Sequence, residues 1–227
     1  NEQWGYINKK GKYVINPQFG GAAPFDADGL AIVRAGNKIG IINKKGDYVI
    51  NPQFDSVSIG AADQILDAGK SVDSYFADGL LAVESGGKWG FVNKKGEYVI
   101  NPQYDYAEAF SDGLAVVKSG DKYGYINKKG KYVITPQFDK AVSFCNGIAA
   151  VGVEDGEDDY GYAAYKFGFI NKKGKYIEVE FNAYDKKIII SDNLSHDKLK
   201  ADFAKITDED IEYGPVLGLN RISIKRS

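Results

Sequence analysis

The chain has no methionine, one cysteine and one histidine, and of its 29 basic residues only Arg34, Arg221 and Arg226 are arginines. Each shortage closes a route to function. A single cysteine, Cys145, excludes an internal disulfide framework and leaves the redox compartment open. One cysteine and one histidine cannot complete a zinc site. Catalysis by a Ser–His or Cys–His pair needs a supported imidazole. The one histidine, His196, stands in a polar stretch at a helix start, where a surface role is expected. Arginine is the residue of bidentate phosphate recognition; its scarcity, a formal net charge of −2 and a pI near 5.6 argue against a nucleic-acid binder. No apolar run approaches the roughly 20 residues of a membrane-crossing helix, so no transmembrane segment is expected. Methionine is missing at position 1 too, and the chain begins inside a repeated motif at Asn1-Glu2-Gln3-Trp4. The expectation is a processed or truncated N-terminus, and with it an exported protein, at the cell surface or extracellular; a cytoplasmic place is left open.

What the 227 residues do contain is one stretch written five times. Its fullest form is Lys88-Trp89-Gly90-Phe91-Val92-Asn93-Lys94-Lys95-Gly96-Glu97-Tyr98-Val99-Ile100-Asn101-Pro102-Gln103-Tyr104-Asp105. The apolar-Gly pair that opens each copy falls at Trp4, Ile39, Trp89, Tyr123 and Phe167, at steps of 35, 50, 34 and 44 residues. Fixed-period self-similarity outranks other signals of architecture. The two long steps hold insertions, roughly Val57 to Tyr75 and Glu154 to Lys166. The first allows a short helical turn through Ala61, Ile65 and Ala68, or a surface loop; the acidic run from Glu154 to Asp159 reads as a solvated loop.

Aromatic and β-branched residues on both sides of Asn-Lys-Lys-Gly predict a tight β-hairpin in every copy. Asn opens a type I turn through its side chain, and Gly takes the left-handed conformation that follows. The second strand is expected to end or bend at Asn-Pro-Gln-aromatic (Thr135 replacing Asn in the fourth copy), because proline cannot donate to a ladder. About ten residues on, Phe-x-x-Gly precedes a third strand such as Leu114-Ala115-Val116-Val117, apolar on both faces and expected to be covered on both. Ala35-Gly36-Asn37-Lys38 and its counterparts read as two-residue hairpin turns into the next copy.

The Trp-Gly-aromatic-Ile-Asn-Lys-Lys-Gly core, the Pro-x-Phe-Asp and the Asp-Gly-Leu-Ala-x-Val together resemble the WG (or KWG) β-repeat family, found mainly in bacterial proteins. The resemblance runs from Trp4 to about Ile177. It implies an array of β-hairpin repeats and no shared enzymatic activity, so it brings no catalytic residues. Copies two, four and five carry Ile39, Tyr123 and Phe167 at the tryptophan position. A structural repeat-core slot at Trp4, Ile39, Trp89, Tyr123 and Phe167 is therefore expected. A lone copy is too short to bury enough apolar surface, so neighbours must stack. Three hairpin-linked strands per copy would reverse each successive copy; a short fourth strand or bend in the link after Pro-Gln-Phe is expected to correct this.

The fold class expected is all-β: about five stacked antiparallel hairpin repeats, solenoid-like, with a five-bladed propeller-like ring as the alternative. Residues 1–177 hold the repeats, with copies starting near 1, 38, 88, 122 and 166. Residues 178–227 read as a short mixed α/β cap, since terminal repeats must seal an apolar end. The cap would hold a strand at Lys187 to Ile190, one helix opened by Ser195 with Leu199, Phe203 and Ile206 on one face, and a strand at Ile222 to Ile224.

Two surface rows are candidates for binding. Lys9, Lys10, Lys44, Lys45, Lys94, Lys95, Lys128, Lys129, Lys172 and Lys173 crown the five hairpins and would line one edge, facing an anionic glycan or keeping the array soluble. The acids Asp28, Asp78 and Asp112, read as turn formers, would line the opposite edge. The aromatic row, with Tyr6, Phe91, Tyr125 and Phe169 beside the slot residues, is expected to pack between copies. No cofactor, metal or catalytic residue is expected; the acidic run could hold Ca²⁺ weakly but lacks EF-hand spacing. The function expected is a non-enzymatic structural or interaction scaffold in a bacterial surface or extracellular assembly, through a protein partner or self-association. The alternative is a carbohydrate- or cell-wall-binding module.

Overall fold

The computed structural model describes residues 3–58, 75–157, 162–182 and 187–191, with residues from 178 onward described through their backbone. Every regular element among these residues is a β-strand, and every pairing described is antiparallel. The chain divides into two compact units, Asn1–Phe110 and Ser111–Ser227.

In the first unit, β1 (Trp4–Ile7) pairs with β2 (Tyr13–Phe19). Next comes a four-stranded meander of β3 (Gly21–Ala22), β4 (Leu30–Ala35), β5 (Lys38–Asn43) and β6 (Tyr48–Phe54). A second meander holds β7 (Ser56–Ser58), β8 (Leu81–Ser85), β9 (Lys88–Val92) and β10 (Tyr98–Tyr104), followed by the two-residue strand β11 (Tyr106–Ala107). The second unit carries β12 (Leu114–Ser119), β13 (Lys122–Asn127) and β14 (Tyr132–Phe138). It continues with a five-stranded sheet of β15 (Lys140–Ala141), β16 (Ile148–Glu157), β17 (Ala163–Asn171), β18 (Tyr176–Asn182) and β19 (Lys187–Ser191).

The hairpins form as their residues dictate. In all five turns the asparagine Oδ1 accepts the amides two and four residues on, at 2.8–3.2 Å. The turn glycine, at φ between +73 and +90°, closes the loop by donating to the asparagine carbonyl. The predicted end of the second strand at proline is not what occurs. β10 runs on through Pro102, because Trp89 pairs with Tyr104 and Phe91 with Ile100, leaving Asn101-Pro102-Gln103 to bulge opposite Gly90 alone. Proline is tolerated there because a bulge needs no ladder donor from it. The bulge also explains the motif's glycine. A Cβ on Gly90 would stand 2.6 Å from the Ile100 carbonyl oxygen and 2.7 Å from the Pro102 nitrogen, and Gly5, Gly40 and Gly124 meet the same backbone at 2.5–2.8 Å.

The short fourth strand exists, as β3, β7 and β15, and it pairs forward with β4, β8 and β16. One sequence copy is therefore divided between two sheets, and each sheet is closed by strands from two successive copies. The apolar third strands are covered on both faces. In β4, Ala31 and Val33 join Ile15 and Phe19 of the preceding sheet, while Ile32 joins Val57, Leu81 and Val83 of the following one. In the second unit, Val116, Ile134 and Phe138 pack against Phe144, Val151 and Ile170 in the same way. Burying each such side chain stabilises by about 1.5–3 kcal/mol, which no single thin sheet could supply.

Of the local expectations, some meet a different outcome, one strand is found as expected, and others fall outside the description. Glu154 to Glu157 continue β16 as exposed strand, with Glu154 opposite Tyr165 and Glu157 opposite Ala163, so this part of the acidic run is hairpin and not loop. β18 runs across the 177/178 boundary, and β19 supplies the expected strand at Lys187 to Ile190. Residues 59–74 of the first insertion, the helix opened by Ser195, His196 and the strand at Ile222 to Ile224 lie outside the described residues.

Candidate interaction surface

The ten hairpin lysines are all exposed, but the two members of a pair differ. In three of the pairs the first member is turned back onto the protein. Lys94 Nζ lies 2.7 Å from the Asp28 carboxylate, and Lys172 Nζ donates to the Asp112 carbonyl at 2.5 Å with its carboxylate 3.8 Å away. The Lys44 stem runs over the turn at Gly29. Basic hairpins and acidic turns thus share an edge, where opposite edges were expected. The reason is the forward pairing of the short strand, which carries the Phe-x-x-Gly turn into the next sheet and beside later hairpins.

The second member, at Lys10, Lys45, Lys95 and Lys173, has no ion pair among the described residues. Three residues further along the chain in the first three turns stand Tyr13, Tyr48 and Tyr98, each followed by a valine, and Tyr132-Val133 repeats the arrangement in the second unit. All eight of these side chains are exposed. This tyrosine row was missed in the sequence, since Tyr-Val-Ile reads as ordinary strand and its alternation is broken. The Tyr48 ring packs edge-on to Phe19 of the sheet before it, with ring centres 6.5 Å apart, and Tyr98 does so to Phe54 at 6.3 Å. The next turn seats on the preceding outer strand: a Cβ at Gly46 would stand 3.3 Å from Ile15, and one at Gly96 3.1 Å from Ile50. Equivalent residues of the first unit are therefore set side by side, sheet after sheet.

The expected repeat-core slot is mostly packed. Ile39 and Trp89 are buried, Trp89 against Tyr106 with centres 5.8 Å apart; Tyr123 and Phe167 are half-buried, and Trp4 is 50% exposed. Trp4 lies in a two-stranded sheet, and Gly21 occupies the place that Tyr106 has beside Trp89. Of the neighbouring aromatics, Phe91 and Tyr125 are fully buried, while Tyr6 and Phe169 are half-buried. The hydroxyls of Tyr6 and Tyr125 donate to the Ala23 and Val142 carbonyls at 2.7 and 2.9 Å. Burial, with Tyr75 nearby, raises the Tyr6 hydroxyl far above its ordinary pKa.

Polar residues that sequence reasoning left unassigned hold the sheets together. Lys38, Lys88 and Lys122, just before the apolar-Gly pair, reach Asp55, Asp105 and Asp139, which follow the bulge seventeen residues on. The Lys38 hydrogen bond, then the Gly86 amide at 2.9 Å, holds the Asp55 carboxyl below its usual range; Lys122 and the Glu154 amide do the same for Asp139. Asp55 and Asp139 so tie their own sheets to the next hairpin. A signal for the latch existed: the first copy carries Gln3 and Gly20 at the two positions, so both partners are absent together. At the other end of the strands, buried Asp26 accepts the Leu30 and Tyr75 amides, and burial first, then the Asp26 charge, raises the Tyr75 hydroxyl to about 12. Ser111 Oγ donates to the Phe144 carbonyl at 2.6 Å, and the Gly147 amide to Asp112. Asp78 and Asp112 take φ of +54 and +55°, an αL turn position that suits aspartate. Cys145 is half-buried at the equivalent turn, and Asp155 of the acidic run pairs with Lys166. Among the described residues no three acidic, histidine or cysteine side chains cluster as metal ligands, and no helix is long and apolar enough to cross a membrane.

These features define an all-β repeat protein, built from hairpin sheets latched by turn and bulge residues. The profile of the WG containing repeat family matches residues 4–38, 39–59, 89–123 and 123–156, more than half of the chain, and the chain belongs to that family. No curated protein matches the sequence. Among solved structures, a protein of unknown function from Bacteroides caccae is similar at 17% identity over 77% of this chain and 73% of that one, with a TM-score of 0.32. The hemopexin fold protein CP4 from cow pea is 13% identical over 78% and 92% of the two chains, TM-score 0.25. The tricorn protease is 13% identical over 84% of this chain and 24% of its own, TM-score 0.26. At TM-scores this low the three similarities set neither fold nor function here.

Proposed function

We propose that the chain is a non-enzymatic structural and interaction scaffold, working in a bacterial surface or extracellular assembly through a protein partner or through copies of itself. One observation carries the reading. Residues shared by the repeats are engaged in turns, bulges and sheet-to-sheet latches, while those left over, the second lysine and the Tyr-Val pair, recur on the outside of the first four copies. Such an arrangement multiplies one weak contact along the chain, as multivalent binding requires. Light scattering on a sizing column and electron microscopy across a concentration series test it. Higher-order assembly, lost when the outer row is substituted, is expected; a monomer at every concentration with a discrete sugar preference on a glycan array would replace this reading by the second. That second reading, a carbohydrate- or cell-wall-binding module, draws its support from the exposed tyrosine row.

A further inference from the structure

We propose that the outer row of the first unit binds an extended anionic polysaccharide lying across the sheets. Lys10, Lys45 and Lys95 meet its carboxylates, and Tyr13, Tyr48 and Tyr98 meet its sugar faces. The inference rests on reading that row as the working surface and names its ligand. Three observations and one general dimension support it.

First, the row is continuous, because the Gly46 and Gly96 turns seat on Ile15 and Ile50 of the outer strand before each. Second, packed sheets stand about 10 Å apart, close to the length of one disaccharide in an extended β-linked glycan, so each sheet can serve one disaccharide. Third, Phe19 and Phe54 hold Tyr48 and Tyr98 edge-on while leaving them 42% and 39% exposed. A ring held in place loses little freedom on binding, and an aromatic face suits the C–H face of a sugar. Fourth, the second lysine is the uncommitted cation of each turn. The first lysine is already turned inward at Asp28 in the case of Lys94, and the turn carboxylates Asp47 and Glu97 accept from the amide groups of Asn43 and Asn93 at 3.1 and 2.8 Å. The second lysine's ammonium has no such partner among the described residues, and a carboxylate on every other sugar would supply it. Lysine point charges fit a single carboxylate better than the bidentate phosphate geometry that favours arginine.

The test uses the full chain and hyaluronan oligosaccharides, which carry one carboxylate per disaccharide, followed by calorimetry. Affinity is expected to rise with each disaccharide from two sugars to six and to weaken as salt is added. Chitin oligosaccharides of equal length, lacking the charge, are expected to bind more weakly. The Lys10→Gln, Lys45→Gln, Lys95→Gln triple variant, altered only at exposed side chains, should lose about tenfold in affinity, the scale of three exposed ion pairs. Tyr13→Ala, at the most exposed ring, should also weaken binding without unfolding the chain, as circular dichroism would show. The proposal is overturned by no hyaluronan binding, by equal affinity for the neutral oligosaccharides, by duplex DNA binding as tightly, or by variants that bind as the native chain does. Assembly seen in the microscope without glycan binding would overturn this inference and leave the scaffold reading standing.

Discussion

At the residue scale, the glycine of the apolar-Gly pair is a steric requirement and its partner a packing choice. Gly90 faces the Ile100 carbonyl so closely that a methyl group cannot enter without moving backbone. Gly90→Ala is expected to cost about 3 kcal/mol, the upper range of overpacking, read as a lowered urea midpoint. Trp89→Phe should cost less, since Phe167 already occupies the equivalent slot. The latch aspartates give a pH signature. The folded Asp55 and Asp139 carboxyls titrate below their ordinary value, near 3.9 in the unfolded chain. Their contribution is present above that value and is lost as pH falls through the folded one. Urea midpoints should therefore decline below about pH 4, and the Asp55→Asn, Asp139→Asn double variant should decline less. The turn asparagines and glycines were legible in the sequence because their bonds reach only two to four residues. The Lys38–Asp55 latch was not, because it links residues seventeen apart across a bulge that was itself read as a strand end.

At the scale of the element, the strands differ in how they are protected. β4 and β8 lie inside their sheets with apolar cover on both faces, whereas β6 and β10 are edges that expose Tyr-Val and carry a proline bulge. Proline, a bulge and flanking lysines are the usual defences of an edge against adding further strands. Lateral growth through these edges is thereby discouraged, and assembly would have to use side chains. Amide hydrogen exchange should be slowest at Ala31 to Val33 and Leu81 to Val83 and fastest at Tyr48 and Tyr98; uniform protection would contradict the sheet order. The strands themselves were legible from aromatic and β-branched runs. Their division among sheets was not, because the forward pairing of β3, β7 and β15 depends on two or three residues with no pattern of their own.

At the scale of the whole molecule, the repeat array means that stability is close to a sum over neighbouring sheets. Repetition itself made the stacked all-β fold legible. The tyrosine row was not, because its exposure follows from what the preceding sheet leaves uncovered. The most direct measurement is a double-mutant cycle on Phe54→Ala and Tyr98→Ala, residues 44 apart in sequence whose rings meet across two sheets. Phe54→Ala alone should cost about 3–5 kcal/mol, and the pair should show a coupling of about 0.5–1.5 kcal/mol, as an aromatic contact does. Strictly additive losses would mean that the sheets do not lie against each other, and would contradict the account.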